Sequence, residues 1–167
     1  FCEDRVVRIQ ANKDALFNAD GNVNVIATSN VLGQTLPFAG DYGISTNPES
    51  FAKDNYRVYF TDQQRGAVLR LSMDGLTPIS DYGMSDYFKD LFAQKKSIVL
   101  GSYDDKKNEY NITVPFNNIT VSYKESIRGW SSFKSFYPEQ AVSVGNNYYT
   151  LKNALPYHCL LYTSPSP

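Results

Sequence analysis

The carboxylates are the strongest catalytic candidates in this sequence, because a pair of them can act as acid and base without other residue types. Asp104 with Asp105, or Asp62 with Asp81, could supply the acid and the base of a glycoside hydrolase, whose two carboxyl groups flank the scissile bond. The run DDKKNE at 104–109 is nevertheless more typical of a solvated hairpin loop, because acidic and amide side chains favour turns. The sequence therefore predicts no catalytic carboxylate pair.

Histidine is almost absent, which removes most other catalytic and metal-binding schemes. His158 is the one histidine and lies close to the end of the chain. Ser-His-Asp and Cys-His catalysis need a histidine, as do many zinc sites. Cys2 and Cys159 lie near opposite ends and form neither a C-x-x-C motif nor a disulfide framework. We expect no enzyme activity, no cofactor and no metal.

Two other segments that could bind a ligand are incomplete. Residues 18–22, NADGN, are similar to the start of a calcium loop, but Ser29 stands where an EF-hand needs its last glutamate. Gly33, Gly40 and Gly43 lack the spacing of a phosphate-binding loop. Both segments are more typical of turns.

The near-zero net charge argues against partners that are recognised through an excess of positive or negative charge. Sixteen Lys and Arg residues face seventeen Asp and Glu residues, for a net charge of −1. With no basic face, sequence-specific nucleic-acid binding is not expected. No stretch approaches the roughly 18 apolar residues of a membrane span, so no membrane partner is expected either. Thirteen tyrosines favour strands whose faces make broad protein contacts.

Strand and turn patterns alternate along most of the chain and predict four antiparallel hairpins. The expected pairs are 57–61 with 67–71, 98–103 with 110–114, 119–123 with 130–136, and 141–144 with 148–151. Residues 33–50 are expected to be irregular, apart from one helical turn with Asn47 as its cap and Pro48 at its first position.

One helix is predicted at about 85–95, with Ser85 as its cap. Its apolar residues recur at helical spacing, so they should dock it onto a sheet; they are Tyr87, Phe88, Leu91 and Phe92.

The hairpins are of similar size, and both Asp62 and Asp104 lie six residues before a β-forming residue. We therefore predict a mainly-β fold, in which antiparallel hairpins form an incomplete propeller-like array with one short helix. Trp130 is expected to anchor a sheet rather than to stack on a sugar, with Phe133 on the opposite strand face. The residues expected to serve packing are Trp130, Phe133, Tyr59, Leu69, Leu71, Tyr103 and Tyr110.

A series of segments spread over roughly residues 5–153 carries a family resemblance. They are NKDALFNADG (12–21), NVLGQ (30–34), GIS (43–45), NPESFA (47–52), YRVYFTDQQRGAVLRLSMDGLTPISDYG (56–83), GSYD (101–104), NEYN (108–111), GWSSFKSF (129–136), PE (138–139) and YYTLKN (148–153). Together they resemble the large virion proteins known as stabilization or tail proteins of crAss-like and related marine phages. Such proteins are similar to the nozzle proteins of short-tailed phages, whose propeller domains form a ring through which the genome leaves.

The resemblance implies a structural component of the virion neck or tail that acts through subunit contacts. Its implied partners are other virion subunits in a symmetric homo-oligomer, with portal and tail proteins as neighbours. Two alternatives remain open, namely a carbohydrate-binding or depolymerising tail component and a bacterial surface β-protein such as an adhesin.

The ends of the chain suggest that residues 1–157 are a fragment of a larger β-rich virion protein, with an internal break near 81–97. Residues 158–167 resemble translated sequencing adapter, and we expect this doubtful tail to pack against nothing, because its Pro and Ser residues offer no continuing strand.

Overall fold

The structure is a computed structural model that describes residues 1–11, 14–17, 23–26, 32–94 and 98–159. Within these residues the chain forms fifteen strands and one α-helix. The elements are β1 Val7–Ala11, β2 Asp14–Phe17, β3 Val23–Ile26, β4 Leu32–Pro37, β5 Ala52–Lys53, β6 Val58–Asp62, β7 Ala67–Ser72, β8 Gly75–Pro78, α1 Ser85–Ala93, β9 Leu100–Asp104, β10 Glu109–Val114, β11 Ile119–Lys124, β12 Gly129–Lys134, β13 Gln140–Val144, β14 Asn147–Lys152 and β15 Leu155–His158.

The described strands form three antiparallel meanders and two isolated pairs. Sheet 1 has the order β5-β6-β7-β8, sheet 2 has the order β12-β11-β10-β9, and sheet 3 has the order β13-β14-β15. The pairs are β1 with β4 and β2 with β3. The predicted mainly-β, antiparallel fold with one short helix is confirmed.

All four predicted hairpins form. In β6 and β7, Phe60 lies opposite Leu69 and Thr61 opposite Val68. The pairs β9–β10, β11–β12 and β13–β14 are the other three, although β9 begins at Leu100 rather than at residue 98. Local patterning and turn chemistry are sufficient to specify them, because the partners are adjacent in sequence.

Asp62 and Asp104, which each lie six residues before a β-forming residue, belong to two hairpin turns of the same length. Asp62 lies opposite Ala67 and Asp104 opposite Glu109, so that four residues form each loop. In each turn the carboxylate accepts the backbone N–H three residues later, at 3.1 Å. The aspartates thus supply the hydrogen bonds that close the turns.

The main core lies between sheets 1 and 2. Aromatic and β-branched residues of both sheets meet there, and α1 adds Phe88, Leu91 and Phe92. Tyr87 is partly buried against the same core. The predicted docking stripe of the helix is therefore confirmed.

The opposite faces of sheets 1 and 2 are also covered, but differently. Phe60, Ala67 and Leu69 pack with Val6 in a second apolar cluster on the far face of sheet 1. The far face of sheet 2 is polar and buried; its residues include Ser102, Asn111, Thr113, Thr120 and Ser122. Thr113 and Thr120 hydroxyls bond each other at 3.0 Å, which satisfies polar groups that burial would otherwise penalise.

Two local expectations were wrong. Residues 33–50 are not irregular throughout, because Leu32–Pro37 forms β4 and pairs with β1. That partner lies far back in the sequence, so no hairpin signal marks it. Ser85 does not cap α1, because it is already helical; Met84 precedes it, and no side chain caps the helix. The helix ends at Ala93, and residues 95–97 lie outside the described part of the chain.

The expectation that Trp130 and Phe133 lie on opposite faces of their strand was also wrong. Tyr123 pairs with Trp130, but Ser122 pairs with Ser132, so one extra residue is inserted in β12. Such a β-bulge shifts the alternation of side chains by one position. Trp130 and Phe133 therefore both lie on the face that meets α1, where they contact Phe88 and Tyr87.

The expectation that residues from 158 onward pack against nothing was wrong for the first two. His158 ends β15 and lies opposite Tyr149, and the Cys159 N–H donates to the Tyr148 carbonyl at 2.9 Å. Residues 160–167 lie outside the described residues.

Candidate interaction surfaces

Three of the expected packing residues form one tyrosine stack in the main core. Tyr59 of sheet 1 lies between Tyr110 and Tyr103 of sheet 2, with ring centroids 4.9 and 5.7 Å away. The Tyr110 hydroxyl donates to the Ser50 carbonyl at 2.7 Å. The stack therefore joins the two sheets and fixes the turn before β5.

The other expected packing residues occupy different environments. Trp130 is half-buried on the main core and donates its Nε1–H to the Ile79 carbonyl at 3.1 Å. Leu69 is buried in the second cluster, and Leu71 is half-buried against it. Phe133 is 61% exposed, although its ring contacts Tyr87.

An ionic cluster closes one end of the interface between sheets 1 and 2. Glu125 follows β11 and accepts hydrogen bonds from the Arg70 guanidinium and, at 3.2 Å, from the Tyr59 hydroxyl. Its Oε1 also lies 3.6 Å from Arg57 Nε. Arg57 in turn binds Asp54 at 3.0 Å, so two cations and two carboxylates balance.

Burial keeps the core tyrosines protonated. It raises the pKa of Tyr148 to about 12, and it raises the pKa of Tyr123 to about 12 with the negative charge of Glu125 adding to the effect. The pKa values of Tyr59, Tyr103 and Tyr110 are raised further, again mainly by burial. These hydroxyls therefore stay protonated near neutral pH and do not act as bases.

The candidate catalytic carboxylates serve the turns. Asp62 accepts from the Gly43 N–H and the Arg65 guanidinium, both at 3.0 Å. Asp104 accepts from two backbone N–H groups of its own turn. Their proposed partners, Asp81 and Asp105, are exposed. The buried members of both pairs are thus occupied by structural contacts.

Glu125 and Asn47 also link distant segments, and neither contact was predicted from the sequence. Asn47 was expected to cap a helical turn, and a 3-10 turn does form at Pro48–Ser50. The Asn47 side chain makes no capping bond; its Nδ2 donates to the Val99 carbonyl at 2.7 Å and its Oδ1 accepts the Val99 N–H at 3.1 Å. No local sequence pattern predicts a contact between residues that are 52 positions apart.

A cleft of about 740 Å³ opens where the edges of the three sheets meet. Its walls come from β5 and the following loop, from the end of β9, and from the middle of β13. Ser143 joins two of these walls, because its hydroxyl donates to the Tyr103 carbonyl at 2.9 Å and accepts the Asp105 N–H at 3.1 Å.

The outer face of sheet 3 is uncovered in the described chain and carries apolar residues beside the polar side chains of Asn147 and His158. Tyr148 and Thr150 point inward and are buried. On the opposite face Val144 is 60% and Val142 48% exposed, and Val142 lies opposite Tyr149. We call this surface, formed by the outward residues of β13, β14 and β15, the outer face of sheet 3.

Two other kinds of site are absent from the described residues. No group of three or more His, Cys, Asp or Glu side chains there could hold a metal ion. Among the described helices none is long and apolar enough to cross a membrane. Residues 18–22, which are similar to the start of a calcium loop, lie outside the described residues.

Three antiparallel meanders with one uncovered face define a mainly-β protein built from packed sheets. A family model described as Crassvirus muzzle protein matches residues 9–154. The chain belongs to this family, which makes it a structural protein of a crAss-like phage. A search of curated proteins found no match.

Proposed function

We propose that the chain is part of a stabilization or nozzle-like protein in the neck or tail of a phage virion, where it acts through contacts between subunits. In this proposal the subunits form a symmetric homo-oligomer beside portal and tail proteins. The observation that carries the proposal is the match of residues 9–154 to the Crassvirus muzzle family, which supports a place in the virion and a non-enzymatic role.

The outer face of sheet 3 supports the part of the proposal that concerns subunit contacts. Sheets 1 and 2 each have both faces covered, by apolar clusters or by hydrogen-bonded polar residues. Sheet 3 has a covered inner face and an exposed outer face that carries Val142 and Val144. Neighbouring exposed apolar residues on a sheet face occur at sites where proteins associate.

The stacked meanders support the propeller-like architecture within that proposal. Sheets 1 and 2 each have four antiparallel strands in sequential order, which is the composition of one propeller blade. They pack face to face through the tyrosine stack, as neighbouring blades do.

Virion incorporation of variants tests the role of this face. In a phage whose own gene is deleted, we would supply the full-length protein in trans with Val142→Lys and Val144→Lys together. Burial of two new lysines at a subunit contact should cut the number of copies per purified particle at least about tenfold.

Phe116→Lys is the matched control, because Phe116 is 77% exposed on the turn between β10 and β11. It should leave incorporation at the wild-type level. Normal incorporation of the double variant, with a normal fold by circular dichroism, would contradict a subunit contact at the outer face of sheet 3.

A further inference from the structure

The cleft between the three sheet edges has the size and lining of a ligand site. Its volume of about 740 Å³ falls in the range of pockets that hold small molecules. Tyr103 of the tyrosine stack and Val142 of the outer face of sheet 3 contribute to its lining, next to charged side chains that belong to neither.

The charges that line the cleft cancel. Lys53 and Arg57 are its cations, while Asp54 and Asp105 are its anions. An anionic ligand would meet two carboxylates, a cationic ligand would meet two basic groups, and an apolar ligand would leave all four without water. A neutral ligand that both donates and accepts hydrogen bonds satisfies both kinds of group, and a hydroxyl does so with a single atom.

Asp54 and Ser143 of the cleft are held in place before any ligand arrives. Asp54 accepts from the Arg57 guanidinium at 3.0 Å and from the Tyr103 hydroxyl at 3.5 Å. The Ser143 hydroxyl joins β13 to β9 on the opposite wall. Groups fixed in this way lose little freedom when a ligand binds, which favours affinity.

Two aromatic residues of the lining remain accessible. The Tyr56 side chain is 79% exposed and the Phe51 side chain 39% exposed, and both line the cleft. An exposed ring beside hydrogen-bonding groups offers an apolar surface for the C–H face of a sugar, together with polar partners for its hydroxyls.

We propose that this cleft binds a neutral, hydroxyl-rich carbohydrate, with Tyr56 as the stacking residue and with Asp105 and Lys53 as hydrogen-bonding partners. This binding activity goes beyond the proposed assembly role and does not depend on it.

Calorimetric titration of the 167-residue chain tests the proposal. The probes are four neutral tetrasaccharides (cellotetraose, maltotetraose, mannotetraose and tetra-N-acetylchitotetraose), with a sulfated heparin tetrasaccharide as the anionic comparator. We expect saturable binding of at least one neutral probe, with a Kd of about 1 mM or tighter. Tyr56→Ala should weaken that binding at least about tenfold, equivalent to about 1.4 kcal/mol.

Phe116→Ala is the control, since it removes an exposed ring that does not line the cleft. It should leave the Kd unchanged, and Asp105→Asn should weaken binding about threefold or more, because a carboxylate accepts more strongly than an amide. The proposal is overturned if no neutral probe binds at 10-fold the expected Kd, if Tyr56→Ala binds as wild type, or if the sulfated probe binds best.

Discussion

Tyr59 and Tyr110 stack with their ring centroids 4.9 Å apart, although they belong to different sheets. Each hydroxyl then fixes a different loop, because Tyr59 donates to Glu125 and Tyr110 donates to the Ser50 carbonyl. One ring pair therefore couples sheet packing to loop position. Sheets 1 and 2 form a single packed unit even though α1 separates them in sequence.

Glu125→Gln should destabilise that unit by about 1–3 kcal/mol, because it leaves the half-buried Arg70 without its carboxylate partner. Urea unfolding followed by circular dichroism measures the change. Glu49→Gln, at an exposed carboxylate, is the control and should change the free energy of unfolding by less than about 0.5 kcal/mol. Equal stability of the two variants would show that Glu125 does not join the sheets.

Gly101→Ala should cost at least about 2 kcal/mol, because a Cβ at this position would lie 1.8 Å from the Ser50 carbonyl oxygen. Neither segment can move without disturbing β9 or the turn before β5. Gly129→Ala is the matched change in a strand of the same sheet, where the nearest atom would lie 3.6 Å away. Thermal unfolding of both variants compares them, and a wild-type Tm for Gly101→Ala would refute the close approach.

Trp130→Ala should cost about 2–4 kcal/mol, since it removes ring contacts at 4.5 Å to Phe88 and 5.4 Å to Tyr123. It also leaves the Ile79 carbonyl without its donor. Phe133→Ala, at the next-to-last residue of the same strand but largely exposed, should cost about 1 kcal/mol or less. Chemical denaturation ranks the two, and the reverse order would place the packing anchor at Phe133 instead.

Alkaline pH should destabilise the fold through its buried tyrosines. In the unfolded chain these hydroxyls release protons near pH 10, whereas the folded-state pKa of Tyr148 and of Tyr123 is about 12. Above pH 10 the unfolded state therefore binds fewer protons. The stabilisation that comes from the raised pKa values of these two tyrosines is fully present below pH 10 and is lost as the pH rises towards 12. The free energy of unfolding then falls by up to about 1.4 kcal/mol per pH unit for each tyrosine.

Tyr148→Phe should make that decline shallower, and Tyr56→Phe, at a side chain that is 79% exposed, should leave it as in the wild type. Urea unfolding at several pH values between 9 and about 12 gives the slopes. A decline that is equally steep in both variants would contradict the role assigned to Tyr148.

The hairpins could be predicted from sequence because each is a local event. Alternating apolar residues and polar turns specify β6–β7 and β9–β10 without reference to the rest of the chain. The pairing of β1 with β4 could not be predicted in the same way, because the intervening residues offer several nearer partners. The faces of Trp130 and Phe133 were mispredicted because one bulged residue reverses the alternation, and a bulge has little sequence signature.

The candidate surfaces were less predictable than the strands. Tyr59, Tyr103 and Tyr110 were expected to pack, but nothing in the sequence showed that they stack on one another. Glu125 bridges residues more than fifty positions away, so its role depends on the finished fold. The cleft likewise exists only where three sheet edges meet, and no single segment contains it.

We expect the full-length protein to be a structural part of the phage particle. Quantitative mass spectrometry of gradient-purified virions and cryo-electron microscopy of the same particles test this. We predict many copies of the protein per virion and a symmetric ring in the neck or tail whose density fits sheets 1 to 3. Its absence from particles, combined with cleavage of host polysaccharide that Asp104→Ala abolishes, would contradict the structural role and favour a depolymerising enzyme.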